Sequence, residues 1–387
     1  MQFAPVCRLS DGALAAAELQ LRGPDGSAMA TARALQRAAR MMQEQAAIDD
    51  HKRRFATSDG ARAVAELLPL LVRYDLDSVS ELSSDEARVL ERQVTSVLPE
   101  TVARSPQRAL AKVAKARAAG NVICVDGLGD TEQTATLLSL IEPDLIVTDS
   151  DMLQRNSDPD IARLAHVLAA HVERTHAVVI AEGVDSESLR LTAQTMGASF
   201  GIGALYPPVD DPADLEGVDV VPLPDAPVWS TPDPDLNTPY AIASRINEPR
   251  RGTKRLLIEM SKALEEQAIH GGAAVVLGTF QHAQFFTPLT AERWTEVSEH
   301  TGLTGVYGVG LSPIQEGRVH HAPLSPDDDL VNEWNVVVIG PHFAALLSAR
   351  DQHSGLDDMD RTFDFVQSYD RVTVTQAVHS ILDRFTG

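Results

Sequence analysis

Three acidic residues stand directly after short apolar runs: Asp126 after NVICV, Asp149 after LIVT and Glu182 after AVVIA. Carboxylates gathered at several strand ends mark the face on which a fold of alternating strands and helices builds its sites. A carboxylate in such a place equally caps the helix that follows. Glu18 and Arg22 stand four residues apart at the end of another such run, AAAELQLR. The guanidinium of Arg22 could pair with a phosphate through charge-assisted hydrogen bonds. The plainer alternative is that Glu18, Arg22 and the strand-end acids satisfy one another.

A second group lies far downstream. The run FQHAQFF, Phe280 to Phe286, leaves a buried strand and mixes aromatics with amides. That mixture suits a small-molecule pocket, with Gln281 and Gln284 as orienting polar groups and Phe285 and Phe286 as an apolar wall. Trp334, His342 and Arg350 extend the candidate set. The alternatives are that Phe285 and Phe286 fill the core, that Trp334 is a core anchor, and that Arg350 pairs with Asp351. His320-His321 has no third ligand at a recognisable spacing, so no metal is expected there. Cys7 and Cys124 are far apart and read as small buried hydrophobes rather than a disulfide or zinc pair. No Ser-His-Asp, P-loop or Rossmann signature occurs, and no cofactor is expected.

The elements that position these residues fall into two domains. A chain of 387 residues exceeds what one hydrophobic core usually serves. Between Tyr206 and Tyr240 stand nine of its 22 prolines. Proline fixes φ and removes a donor, so this stretch reads as an extended connector, within which Val218 to Val221 could add an edge strand. The expected boundaries are 1–208 for the first domain, 209–238 for the linker and 239–387 for the second. In the first domain, β-like runs alternate with amphipathic stretches such as Pro106 to Ala119 and Ile161 to Thr175. That pattern implies a parallel sheet closed into a barrel, whose sites are built at the C-terminal strand ends. The second domain reads as an α/β sandwich. Its expected helices are Thr253 to His270, Thr290 to Thr301, Phe343 to Arg350 and Val372 to Phe385. Its expected strands are Ala273 to Phe280, Val306 to Val309 and Asn335 to Gly340.

The formal charge of −22 disfavours nucleic acid and anionic lipid as partners. The basic runs His51 to Arg54 and Arg245 to Arg255 read as solvated charge. No uncharged apolar stretch reaches the roughly 18 residues of a membrane span. The first residues lack the features of a secretory signal, so a cytoplasmic location is expected.

In order and spacing, these motifs resemble the EAL domain family of cyclic-di-GMP phosphodiesterases, whose fold is a modified TIM (β/α)8 barrel. Ala181 to Asp185 (AEGVD) is similar to the family's AEGVE, Glu18 to Arg22 (ELQLR) to EALLR, and Asp126-Gly127 to the two acids of DDFG. The departures decide what the resemblance implies. Val97 falls at the first Glu of the EITE-like strand, with Glu100 at the second. Arg73 falls near the Asn of VNLS, Val147 at the Lys of KID and Ile202 at the Gln of QG. Loss of these groups implies a catalytically inactive barrel that binds no metal and acts as a binding or interaction module. Glu18, Arg22, Asp126, Asp149 and Glu182 would then be vestigial ligand-binding residues. A cyclic-di-GMP receptor, or a residual phosphodiesterase, is the alternative.

The second half resembles the DICT sensory domain. The likeness rests on SKALE at Ser261, VVLGTFQHAQFFTPLT at Val275, EWNVVV at Glu333, GPHF at Gly340 and RTFDFVQSYDR at Arg361. It implies a sensor of a small-molecule or nucleotide ligand that works with another signalling protein. A homodimer is expected. The ligand is expected at one sheet edge, beyond both Thr279-Phe280-Gln281 and Val338-Ile339-Gly340.

Overall fold

Eight apolar runs of the first half close into a barrel in sequence order. They are β1 (Gln2–Arg8), β2 (Leu14–Gln20), β3 (Leu70–Asp75), β4 (Arg92–Val97), β5 (Val122–Leu128), β6 (Leu145–Thr148), β7 (Val178–Glu182) and β8 (Phe200–Ile202). The expected modified (β/α)8 barrel is what forms. The modification is β1, which runs antiparallel to both neighbours because a tight hairpin joins it to β2. All the other pairs are parallel. The helices between them in sequence are α1 (Ala32–Met41), α2 (Gln45–Ala56), α3 (Asp59–Leu67), α4 (Pro99–Arg104), α5 (Pro106–Ala118), α6 (Glu132–Ile141), α7 (Pro159–Thr175) and α8 (Glu187–Thr195). Side-chain oxygens of Thr31, Ser58, Asp158 and Ser186 cap α1, α3, α7 and α8 by accepting from first-turn amides.

This computed structural model describes residues 1–24, 26–81, 92–129, 132–209, 215, 218–221, 223–225, 236–271 and 274–385. Much of the Pro-rich connector lies outside the described residues. Within it, Val220 makes only an isolated bridge to Leu14, so the expected edge strand is not formed. The chain divides into two compact units: Met1–Arg104, Ala111–Asp130 and Pro143–Val228 form one, and Ser105–Leu110, Thr131–Glu142 and Trp229–Gly387 the other. Among the described residues no helix is long and apolar enough to cross a membrane.

The barrel interior is layered. Leu71, Val94, Cys124, Leu145, Val147, Ile180 and Phe200 form an apolar plug, with Cys7 buried in a neighbouring cluster. Side chains two residues further along the same strands point the same way. There the layer becomes polar, with Arg73 on β3, Ser96 on β4, Asp126 on β5 and Glu182 on β7.

The second unit is built on an eight-stranded sheet of order β12-β13-β11-β10-β14-β15-β16-β9. These are β9 (Arg250–Thr253), β10 (Val275–His282), β11 (Leu303–Val309), β12 (Gln315–Glu316), β13 (Val319–Pro323), β14 (Glu333–Ile339), β15 (Ala344–Asp351) and β16 (Thr362–Ser368). Its helices are α9 (Pro239–Ser244), α10 (Lys254–Gly271), α11 (Pro288–His300) and α12 (Arg371–Leu382). Two expectations fail. The run from Phe343 to Arg350 is strand β15, not a helix, because it pairs in register with β14 on one side and β16 on the other. The other is a boundary: α11 begins at Pro288, capped by Thr287, rather than at Thr290. Trp294 anchors the core, fully buried, with its ring edge-on to Phe280 at 5.4 Å. Its indole donates to the buried carboxylate of Glu265, which also pairs with Arg293.

Candidate functional site

At the C-terminal mouth of the barrel three carboxylates from three strands converge on one guanidinium. Arg73, 7% exposed, donates through Nε to Glu18 Oε1 at 2.6 Å, through Nη1 to Asp126 Oδ1 at 2.9 Å and through Nη2 to Glu182 Oε1 at 2.9 Å. Gln20 and Ser96 complete the shell, donating to Glu18 at 3.1 Å and to Asp126 at 3.3 Å. A second cation comes from α1. Arg33 donates to Asp149 at 2.8 Å and to the other oxygen of Glu182 at 3.0 Å. Thus four of the five candidate residues of the barrel are brought together. Arg22 is not among them: it donates to the Ala30 carbonyl and to Gln2, so the expected pairing with Glu18 does not occur.

Local backbone makes room for these pairs. Gly127 stands where the resemblance places a second acid, and its φ is +78°. A Cβ there would meet Arg33 Nη2 at 3.0 Å. Gly183 follows Glu182 with a φ of +79°, and a Cβ would collide with the Ser150 carbonyl at 2.6 Å. Behind Arg73, Lys52 of α2 is 2% exposed, so it does not belong to the solvated run expected for residues 51–54. It donates to the Arg73 carbonyl at 2.8 Å, while Asp49 accepts from the Asp75 amide at 2.9 Å.

The electrostatics follow the geometry. Burial opposes the charge of Arg73, yet Asp126, Glu18 and Glu182 outweigh it and hold the guanidinium charged well beyond its ordinary range. Burial likewise opposes ionisation of Asp126, but Arg73, Arg40, Arg33 and Lys52 bring its carboxyl below the usual value. Glu182 is pushed up, chiefly by burial against the pull of Arg73, with Asp126 and Glu18 adding repulsion.

Two-metal hydrolysis needs oxygen ligands around two ions some 3.5–4 Å apart. Here the point on which Glu18, Asp126 and Glu182 converge is filled by Arg73, and Arg33 bridges Asp149 to Glu182. Val147 lies in the apolar plug beside Asp126, and Ile202 packs against the same plug. Strand alternation corrects the position expected for Val97. Asp75 pairs with Ser96, and Ser96 with Cys124, so Ser96 faces the interior while Val97 faces the opposite side. No carboxylate is offered at either position. Among the described residues, no group of three or more His, Cys, Asp or Glu side chains is set to hold a metal ion. The residues present therefore do not fit the metal pair that the resemblance implies.

A cleft of about 590 Å³ opens beside the cluster. Arg33, Arg37 and Arg40 line it from one face of α1, together with Arg104 and Glu100 of α4 and with Asp75, Asp77, Asp126 and Asp149. Arg40 Nε lies 3.6 Å from Asp75 and makes no hydrogen bond to it.

The candidates of the second unit do not form one site. β10 and β14 are antiparallel, with Val275 opposite Ile339 and Phe280 opposite Trp334. The ends carrying Gln281 and Gly340 therefore lie at opposite edges, and His342 is separated from the rest. Arg350 and Asp351 do not pair, since neighbours on a strand face opposite ways. Arg350 lies 3.4 Å from the buried Glu333 and over the Tyr240 ring, whereas Asp351 pairs with Arg361. Gln281 is 6% exposed at a φ of +57°, where β10 bulges against β11, and it accepts from Arg361 at 3.2 Å. Arg361, absent from the expected set, also stacks on Phe285 and Phe363 at 5.0 and 5.1 Å. Phe286 and Trp334 pack against the core, and Gln284 is exposed.

The EAL domain family model matches residues 1–208, and the DICT model, a sensory domain in diguanylate cyclases and two-component systems, matches residues 241–352. The chain belongs to the EAL domain family and carries a DICT sensory domain. Among solved structures, the Xanthomonas citri FimX EAL domain in complex with c-diGMP is 19% identical, over 54% of this chain and 87% of that one, with a TM-score of 0.42. The PaMucR phosphodiesterase in complex with c-di-GMP is 18% identical, over 54% and 95%, with a TM-score of 0.43. The EAL enzyme Bd1971 in its cGMP-bound form is 16% identical, over 56% of this chain and 63% of its own length, with a TM-score of 0.39. No curated protein matches the chain.

Proposed function

We propose that this chain is a regulator in cyclic-di-GMP signalling whose EAL barrel binds a ligand or partner without hydrolysing it, while the DICT domain senses a second ligand. The observation that carries this reading is the engagement of Glu18, Asp126, Asp149 and Glu182 by Arg73 and Arg33. Acids so neutralised have no call for a metal, and without metals nothing generates the attacking hydroxide or stabilises the leaving oxygen. Val147 and Ile202 support the same reading. The cleft lined by Arg37, Arg40 and Arg104 favours retention of a nucleotide, since its volume lies within the usual range for small-molecule sites. Homodimerisation belongs to the same reading, and a monomer mass by light scattering would count against it.

The test is incubation of the purified chain with cyclic-di-GMP and magnesium or manganese. No linear product is expected above the level of a Glu18→Ala, Glu182→Ala control. Metal-dependent turnover above that control would sink the reading. Titration calorimetry in chelator should then give heat with cyclic-di-GMP, and no heat at high micromolar ligand would leave the barrel an interaction module alone.

A further inference from the structure

We propose that Arg73 is the resident cation of the acid cluster, a guanidinium built into β3 that fills the place of a divalent ion and shuts metal out. The proposal rests on the non-hydrolytic reading of the barrel and explains how the cluster persists without metal. Each carboxylate gives one oxygen to a different nitrogen of the same guanidinium, at 2.6, 2.9 and 2.9 Å. A planar fork with five N–H groups can serve three acceptors at once, which a lysine ammonium on a flexible stem does less well. The oxygens are spread about the guanidinium nitrogens, which themselves surround a central carbon. They stand further from that centre than the roughly 2.0–2.6 Å at which magnesium or calcium holds oxygen.

The cation is also pinned. Lys52 donates to the Arg73 carbonyl and Asp49 accepts from the Asp75 amide, so α2 holds the strand at the residue and just beyond it. Both clamping side chains are buried. A guanidinium on a fixed backbone and tied at three points does not swing out to admit an ion. Arg33 performs the lesser part, bridging Asp149 and Glu182 from a helix at the rim.

Manganese is the probe, with free ion read by electron paramagnetic resonance and unfolding by far-ultraviolet circular dichroism of the full chain. Wild type and Arg73→Lys should neither bind millimolar manganese nor unfold at a higher temperature in its presence. Arg73→Asn takes the guanidinium from three carboxylates, leaving Arg33 on Glu182, and adds an amide oxygen. It should take up manganese at least about tenfold more tightly than wild type and be stabilised by it. Should Arg73→Asn not fold without metal, the double variant Arg73→Asn, Glu182→Gln carries less unpaired charge and should bind the ion in its place. Stoichiometric manganese on wild type, or failure of both variants to bind better than wild type, overturns the proposal. Metal-dependent hydrolysis by wild type sinks the earlier reading and this one with it, whereas an inert wild type with non-binding variants sinks only this one.

Discussion

Replacing Arg73 by alanine should destabilise the barrel by about 4–5 kcal/mol at neutral pH. Breaking a buried ion pair by removing one partner costs about 3–5 kcal/mol, because the other charge is left buried without compensation. Here Glu18 and Asp126 lose their guanidinium together, and Glu182 keeps only Arg33. The two methylenes lost beyond Cβ each forfeit about 0.8 kcal/mol of burial, which puts the value at the upper end. The pH dependence has a definite sign. In the native protein the Asp126 carboxyl lies below its ordinary value, so its contribution is present above about pH 3.9 and is lost as pH falls through the lower folded value. Without Arg73, Asp126 and Glu182 lose the cation that pulls both of their values down, and those folded values rise. Protonation then relieves the variant, and its deficit should narrow between about pH 7 and about pH 5. Urea unfolding by far-ultraviolet circular dichroism measures the loss. Tryptophan fluorescence is the internal control, since Trp294 and Trp334 belong to the second unit. A deficit below about 1 kcal/mol, the scale of exposed ion pairs, or one that ignores pH would mean that Arg73 is not the buried partner of these acids.

Two further outcomes concern the second unit. At Gln281 both alanine and glycine lose the bond to Arg361, but glycine also relaxes the left-handed backbone at a φ of +57°. Gln281→Gly should therefore be more stable to urea than Gln281→Ala, by about 1 kcal/mol, and equal stability would mean that the backbone there is unstrained. Burial lowers the values of His320 and His321, with repulsion from His321 adding at His320 and Glu316 opposing at His321. A depressed histidine contributes stability that is present above about pH 6.5 and is lost as pH falls through the folded value. His321 stacks edge-on against Phe286 at 5.6 Å, so His321→Phe should keep the packing and flatten the fall in tryptophan-monitored stability on acidification. An unchanged slope would remove His321 from the account.

The barrel was legible because strand and helix periods alternate so regularly before the connector, and because acids at strand ends mark the mouth of such a fold. Arg73 and Arg33 were less so. An arginine at the fourth place of LLVRYD reads as one polar residue among apolar ones, and nothing local says that three acids 53 to 109 residues away will close on it. Arg33 stands among ordinary helix-surface arginines. The error at Phe343 to Arg350 has a different cause. Ala, Leu and Arg favour helix in isolation, and only the flanking strands β14 and β16 turn the segment into sheet. The scattering of the DICT candidates follows from strand direction, which apolar patterning does not encode. A run of hydrophobics reads the same whether its strand enters the sheet upward or downward.

The two cysteines buried in the barrel give the chain a chemical silence. Burial pushes the Cys7 thiol up to about 11 and Cys124 well above its ordinary value, and the thiolate is the form that reacts with oxidants and alkylating reagents. With only these two in the sequence, the native fold offers maleimide chemistry almost nothing to attack. A single surface substitution, such as Leu191→Cys on exposed α8, would carry a fluorophore or spin label alone. The protein can thus be fitted with a reporter without first being stripped of its own sulfur.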